Sequence, residues 1–137
     1  MIFKIWMLLI AGSGAAFASE FTVTVENLRG NKGAVRVLLF GQPDGFPDQP
    51  GRAAARAEAA AAKGGLTFKF HHLKPGRYAI AVLHDEDSDG KLATNIFGIP
   101  KEGVGVSGDL GNSKPDFNKC LVQVKHGGGQ KVRMKYW

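Results

Sequence analysis

The sequence predicts an all-β protein, an antiparallel β-sandwich of about seven strands. Several short segments alternate apolar and polar residues with a period of two, the pattern of strands with one buried face. Glycine-rich turns separate these segments, and the 137-residue chain contains 19 glycines. Many short strands joined by such turns are typical of a sandwich or a barrel.

Six segments carry the strand pattern. The fourth is almost continuously apolar, which suits a central strand, and the last two are predicted to pair as a closing hairpin across His126–Gly129. Lysine and arginine line one face of the last segment, which we interpret as protection of an edge strand rather than as a basic binding stripe. The six are Phe21–Glu26, Ala34–Phe40, Leu66–Phe70, Arg77–His84, Cys120–Lys125 and Lys131–Tyr136.

Two segments depart from the strand pattern. Arg52–Lys63 is dominated by alanine, which has the highest helix propensity, and a cluster of prolines and glycines precedes it. We therefore expect a short helix there. Ile96–Asp116 is long and rich in glycine and shows no strand pattern, so we expect a loop of the kind that often carries function.

The first eighteen residues are predicted to be a secretory signal peptide. Lys4 supplies the positive start, Ile5–Ala16 form an apolar run, and Ala16-Phe17-Ala18 is a small-x-small cleavage site. Cleavage after Ala18 would leave residues 19–137 as a single β-sandwich domain, periplasmic or secreted, with no membrane span.

The net charge limits the kinds of partner that the protein can be expected to bind. The formal net charge is +6, which is compatible with nucleic acid, an anionic membrane surface or an acidic glycan. An exported protein without interleaved aromatic residues is not expected to bind nucleic acid, and we interpret the positive charge as solvated surface charge. The expected partner is an unidentified protein or glycan. The single cysteine, Cys120, alternates with Val122 and Val124 and is expected to be buried.

The stretch His84–Asn95 contains the strongest motif of the chain. Asp85, Asp87 and Asp89 occupy every second position and Gly90 follows, which allows a tight loop to turn three carboxylates towards one hard cation. Lys91 would offer its backbone carbonyl at the next ligand position.

The rest of this stretch departs from the calcium loop that joins two helices. Position twelve of that loop is normally glutamate and is Ile96 here, and a strand precedes the motif. Asn95, Glu102 or water would have to complete the site, so Ca²⁺ affinity is expected to be weak, roughly 10⁻⁴ to 10⁻³ M. The alternative is a solvated acidic turn whose charge is balanced by Lys91 and Lys101. Both interpretations stay open.

His84 and Glu102 also define the main enzymatic alternative, as an acid and base pair. His84 follows an apolar strand, which favours a hydrogen-bonded histidine at the rim of the core. No nucleophile elbow and no zinc-protease motif occurs in the sequence. We expect a non-enzymatic binding module, with an assembly subunit that pairs through an edge strand as a further alternative.

The chain resembles the bacterial domain-of-unknown-function family DUF2141. The resemblance covers almost all of residues 19–137 and is carried by five segments. These are Gly33–Val37, Pro75–Val82, His84–Asn95, Gly98–Ser107 and Pro115–Phe117.

The family pattern resembles H-D-x-N-x-N-G-x-L-D-T-N followed by G-x-P-x-E-G-Y-G-x-S. Asp87 and Asp89 stand where asparagine is common, which adds negative charge, whereas Ala93 replaces an aspartate and Val104 an aromatic residue. The resemblance implies a sandwich similar to transthyretin-like and carboxypeptidase-regulatory-like domains, and it implies no particular activity.

Overall fold

A computed structural model describes residues 20–87, 102–108 and 115–137 of the chain. These residues form eight strands and two short 3-10 helices, Pro50–Arg52 and Phe117–Cys120, which confirms the predicted all-β sandwich. The predicted signal peptide lies outside the described residues. The strands are β1 Phe21–Leu28, β2 Ala34–Phe40, β3 Ala55–Ala60, β4 Gly64–Phe70, β5 Gly76–Asp85, β6 Val104–Val106, β7 Leu121–Val124 and β8 Gly129–Arg133.

The strands form two sheets. The smaller sheet has the order β4-β1-β8, and the larger has the order β3-β2-β5-β6, with β7 also pairing with β5. All neighbours are antiparallel except β1 and β8, which are parallel. Strands β2 and β5 are therefore central, and for β5 the apolar run in Arg77–His84 predicted this position.

The main core lies between the two sheets. Alternate residues of β1, such as Val23 and Val25, pack there with alternate residues of β2 and β5, such as Val37 and Val82. All four are at most 1% exposed. The period-two pattern thus identified the strand faces correctly.

A second core covers the outer face of the larger sheet. Leu38 and Phe40 of β2 pack there with Cys120, and Phe46 and Phe117 close over them from the connecting segments. The Phe46 ring meets the Phe40 and Phe117 rings edge to face, at centroid distances of 5.4 and 5.7 Å. Because both faces of β2 and β5 are covered, both strands carry apolar residues at consecutive positions. Cys120 is buried as expected.

The helix expected over Arg52–Lys63 is wrong. Its first residue ends a 3-10 turn, and Ala55–Ala60 form strand β3, which pairs with β2 along its whole length. Alternate alanines pack against the main core, whereas Arg56 and Glu58 face outwards, and Glu58 forms an ion pair of 3.1 Å with Arg36 on the neighbouring strand. Pairing with β2 therefore overrides the intrinsic helix propensity of alanine.

The predicted closing hairpin is also wrong. β7 pairs with β5 in the larger sheet and β8 pairs with β1 in the smaller one, so the glycine-rich turn carries the chain from one sheet to the other. β8 does lie at an edge, with Val132 and Met134 buried and Lys131 and Arg133 exposed, as the edge-strand interpretation predicts.

The segment Ile96–Asp116, expected to lack strands, contains the short strand β6. Val104 of β6 also exchanges backbone hydrogen bonds of 3.0 and 2.9 Å with Lys135, beyond the end of β8. The residue after β8, Met134, donates its N–H to the Glu26 carbonyl of β1 at 2.9 Å. The C-terminal segment therefore joins the two sheets.

Among the residues described, no helix has the length and apolar character needed to cross a membrane.

Candidate metal centre

The candidate site lies where β5 ends and β2 begins. Ala34 is paired with Asp85, and the turn before β2 approaches the backbone that follows β5. Gly33 makes this approach possible, since a Cβ there would overlap the Asp85 carbonyl oxygen and lie 2.7 Å from the Glu86 backbone. Its φ of +73° also suits glycine. The glycine that the sequence places before β2 thus shapes the site.

Asp85 is held by an arginine on the adjacent strand. Its side chain is 2% exposed, and its Oδ2 accepts a hydrogen bond of 2.7 Å from Nη1 of Arg36. Arg36 reaches Glu58 as well, so one guanidinium bridges β5, β2 and β3. A buried carboxylate requires such a charged hydrogen-bond partner.

Glu102 closes the site from the segment that leads into β6. It is 5% exposed, and its Oε2 accepts hydrogen bonds from the backbone N–H groups of Glu86 at 2.7 Å and Asp87 at 3.3 Å. These bonds fix the Glu102 carboxylate against the turn that follows β5. The position of the Glu102 carboxylate is therefore determined by hydrogen bonds within the protein.

Three carboxylates converge at this point. Asp85, Asp87 and Glu102 each offer one oxygen, and the three oxygens lie within 4.8 Å of one another. Oxygen ligands of Ca²⁺ lie about 2.3–2.6 Å from the ion, so two ligands of one ion can be up to about 5 Å apart. Hard carboxylate oxygens suit Ca²⁺ better than a softer metal, and the smaller Mg²⁺, with ligands at about 2.0–2.1 Å, needs a tighter set of oxygens.

The structure thus brings together three of the six predicted ligands, Asp85, Asp87 and Glu102. The other three, Asp89, Lys91 and Asn95, lie outside the described residues. Sequence reasoning did not include Arg36 in the site. Its charge within the apolar run of β2 was the available signal, since a charged residue at such a position needs a partner.

A second ion pair borders the site. The Arg29 guanidinium makes two hydrogen bonds to the Glu86 carboxylate, one of them 2.8 Å from Nε to Oε2. These bonds lower the pKa of Glu86 below its usual 4.5. The same guanidinium lies 4.5 Å from the ring centroid of Tyr136, in a cation–π contact.

His84 is a structural residue of the rim, as predicted. It is wholly buried, its Nε2 lies 2.8 Å from the carbonyl oxygen of Lys32, and its Nδ1 lies 2.8 Å from the Tyr136 hydroxyl. The carbonyl can only accept, so Nε2 carries a hydrogen; in a neutral imidazole Nδ1 is then the acceptor of the Tyr136 hydroxyl. Both nitrogens are therefore engaged within the protein, which gives the acid and base pair of His84 and Glu102 no support.

Tyr136 completes this arrangement and was not among the predicted site residues. Its hydroxyl oxygen accepts from the Arg29 backbone N–H at 3.1 Å, and burial raises the pKa of the phenol above 10.0. A Cβ on Gly103 would overlap the Tyr136 ring, so the glycine after Glu102 makes room for it. One ring therefore links the C-terminal segment, the turn before β2 and the residue next to Glu102.

Comparison with known proteins identifies the family. No curated protein and no solved structure matches the chain. A match to the family described as "Uncharacterized protein conserved in bacteria (DUF2141)" extends over residues 23–133, which include strands β2 to β8 and all of β1 except its first two residues. The chain therefore belongs to the DUF2141 family, as its motifs indicated.

Proposed function

We propose that this protein is an exported, non-enzymatic binding module whose acidic end binds Ca²⁺. The observation that carries the proposal is the convergence of carboxylate oxygens from Asp85, Asp87 and Glu102 within 4.8 Å. Two of these side chains are buried, and a hard cation is the ligand that such a set of oxygens suits.

The two backbone hydrogen bonds to Glu102 favour ion binding because they position its carboxylate before an ion binds. A carboxylate has about four lone-pair positions, so accepting backbone N–H groups does not exhaust its capacity. A ligand that is already in position loses less conformational entropy on binding, which improves affinity.

Ca²⁺ would act on the two residues that flank positions 88–101. Asp87 and Glu102 precede and follow residues 88–101, so one ion bound by both would fix the two ends of that segment. We infer that the ion thereby shapes a surface for a protein or glycan partner.

Thermal denaturation with Ca²⁺ tests this proposal. Ca²⁺ at about 100 times its dissociation constant adds roughly 2.7 kcal/mol of stability by mass action, and a domain of this size should melt several degrees higher. Mg²⁺ at the same ionic strength controls for screening. Asp87→Asn should abolish most of the Ca²⁺ effect, whereas Asp48→Asn, a change at an exposed position in another loop, should preserve it.

Two results would refute the metal site: a melting temperature that Ca²⁺ shifts no more than Mg²⁺, or equal losses in the two variants. Export is tested separately by the mass of the protein recovered from the periplasm or the medium. A chain that begins at Ser19 supports it, and retention of residues 1–18 contradicts it.

A further inference from the structure

A cavity of about 660 Å³ lies at the end of the sandwich opposite the acidic cluster. Gly76, where β5 begins, lines the cavity, and Asp85, where β5 ends, belongs to the acidic cluster. A strand rises about 3.3 Å per residue, so the two ends of this ten-residue strand are about 30 Å apart. The cavity is therefore a separate feature, of the size typical of small-ligand sites.

An aromatic ring in a fixed position lines the cavity. Tyr78 is half-buried against the main core, and its hydroxyl donates a hydrogen bond of 2.6 Å to the Lys74 carbonyl. Gly41 and Gly76 stand at the two sides of the ring, where a Cβ would lie 3.9 Å from a ring carbon. Because these neighbours lack side chains, space remains beside the ring.

The charged groups of the cavity are mainly positive. Arg52, Lys74 and Arg77 line it together with one carboxylate, Asp44, which pairs with Arg52 at 3.1 Å. Within the described part of the chain, neither Lys74 nor Arg77 forms an ion pair. Both are exposed, and a concave surface concentrates the field of such charges.

We propose that this cavity binds a carboxylated sugar, such as a uronic acid unit of an acidic polysaccharide. Arg77 and Lys74 would bind the carboxylate, since guanidinium groups pair with carboxylates through two parallel hydrogen bonds. The Tyr78 ring offers a weakly negative face to the C–H groups of a sugar ring.

The polar groups of the cavity favour a sugar acid over a simple anion. The Gln42 amide and the Asp44 carboxylate both line the cavity and both can accept hydrogen bonds from hydroxyl groups. A phosphate dianion would instead meet repulsion from Asp44. The mixture of cations, acceptors and an aromatic ring therefore suits a polyhydroxylated sugar unit that carries one carboxylate.

Calorimetric titration with trigalacturonic acid tests the inference, in EDTA so that the result does not depend on Ca²⁺. Maltotriose is the neutral control and inorganic phosphate the simple anion. We expect trigalacturonate to bind at least about tenfold more tightly than either, since a hydrogen bond to a charged group contributes about that factor.

Three variants locate the site. Arg77→Gln should weaken binding about tenfold, and Gly41→Leu should block it by filling the space beside Tyr78 without a change in charge. Lys131→Gln removes an exposed cation of β8 and should leave binding unchanged. Absence of trigalacturonate binding, equally tight phosphate binding, or equal losses in the Arg77 and Lys131 variants would overturn the inference.

Discussion

The Tyr136 hydroxyl lies 2.8 Å from Nδ1 of His84, to which it donates its hydrogen when the imidazole is neutral, and this bond joins Tyr136 to the central strand β5. The two rings meet edge to face, with centroids 5.9 Å apart. The same hydroxyl accepts the Arg29 backbone N–H, so it serves as donor and acceptor at once. A buried polar pair of this kind stabilises the fold only while all its members are satisfied.

Tyr136→Phe should therefore destabilise the protein by about 1–3 kcal/mol, because it leaves Nδ1 of buried His84 without this partner. Urea denaturation measures the loss. Tyr78→Phe is the matched control, since that hydroxyl donates to the carbonyl of the exposed Lys74, which water can satisfy instead. Equal losses in both variants would contradict the role assigned to His84 and Tyr136.

The Glu86 and Arg29 pair predicts a specific dependence on pH. Because Arg29 lowers the pKa of Glu86 in the folded state below 4.5, the pair stabilises the fold above about pH 4.5. That contribution is lost as the pH falls through the folded-state pKa. Arg29 is 42% exposed, so we expect Glu86→Gln to cost at most about 1 kcal/mol at pH 7.

The measurement is the free energy of unfolding of the wild type and of Glu86→Gln from neutral pH down to about pH 3. The difference between the two should shrink as the solution is acidified. The free energy of unfolding of Arg29→Gln should lack the same pH-dependent contribution. A difference that stays constant, or grows, at low pH would contradict the assignment.

The turn before β2 gives a third prediction. Gly33→Ala should cost about 2 kcal/mol or more, because its φ is +73° and its Cβ would overlap the Asp85 backbone. Gly30→Ala lies in the same turn with nothing within 4 Å of its Cβ, and should change stability by less than about 0.5 kcal/mol. Chemical denaturation distinguishes the two. Indistinguishable effects would mean that the turn moves away from β5 without penalty.

Local pattern was sufficient to predict six of the eight described strands, but neither β3 nor β6. Alternation in Phe21–Glu26 and the apolar run Arg77–His84 follow directly from their positions in the two sheets. The alanine-rich segment was misassigned because its strand exists only through pairing with β2, which its own composition does not encode. The last turn was misassigned because three consecutive glycines are compatible with a hairpin and equally with a crossing between sheets.

In the candidate site too, some residues could be predicted from local sequence and others only from the tertiary fold. Asp85 and Asp87 are close in sequence, and Glu102 was recognisable as a further acidic residue beyond the motif. Arg36 and Tyr136 lie 49 and 52 residues from the partners they contact, so only the tertiary fold reveals them. Contacts at such separation depend on sheet order, which hydrophobic periodicity does not specify.

The parallel pairing of the first strand with the last has a consequence for how the protein acquires its structure. Strand β1 pairs with β4 and with β8, so its second neighbour is present only after β8 has been made. The Asn27 side chain also donates a hydrogen bond to the Met134 carbonyl, 107 positions away in the chain. Contacts this distant in sequence make folding slow. During synthesis the smaller sheet stays incomplete until the residues of β8, Gly129–Arg133, have been made. The first of the described strands thus acquires its second neighbour only after the last of them has been made.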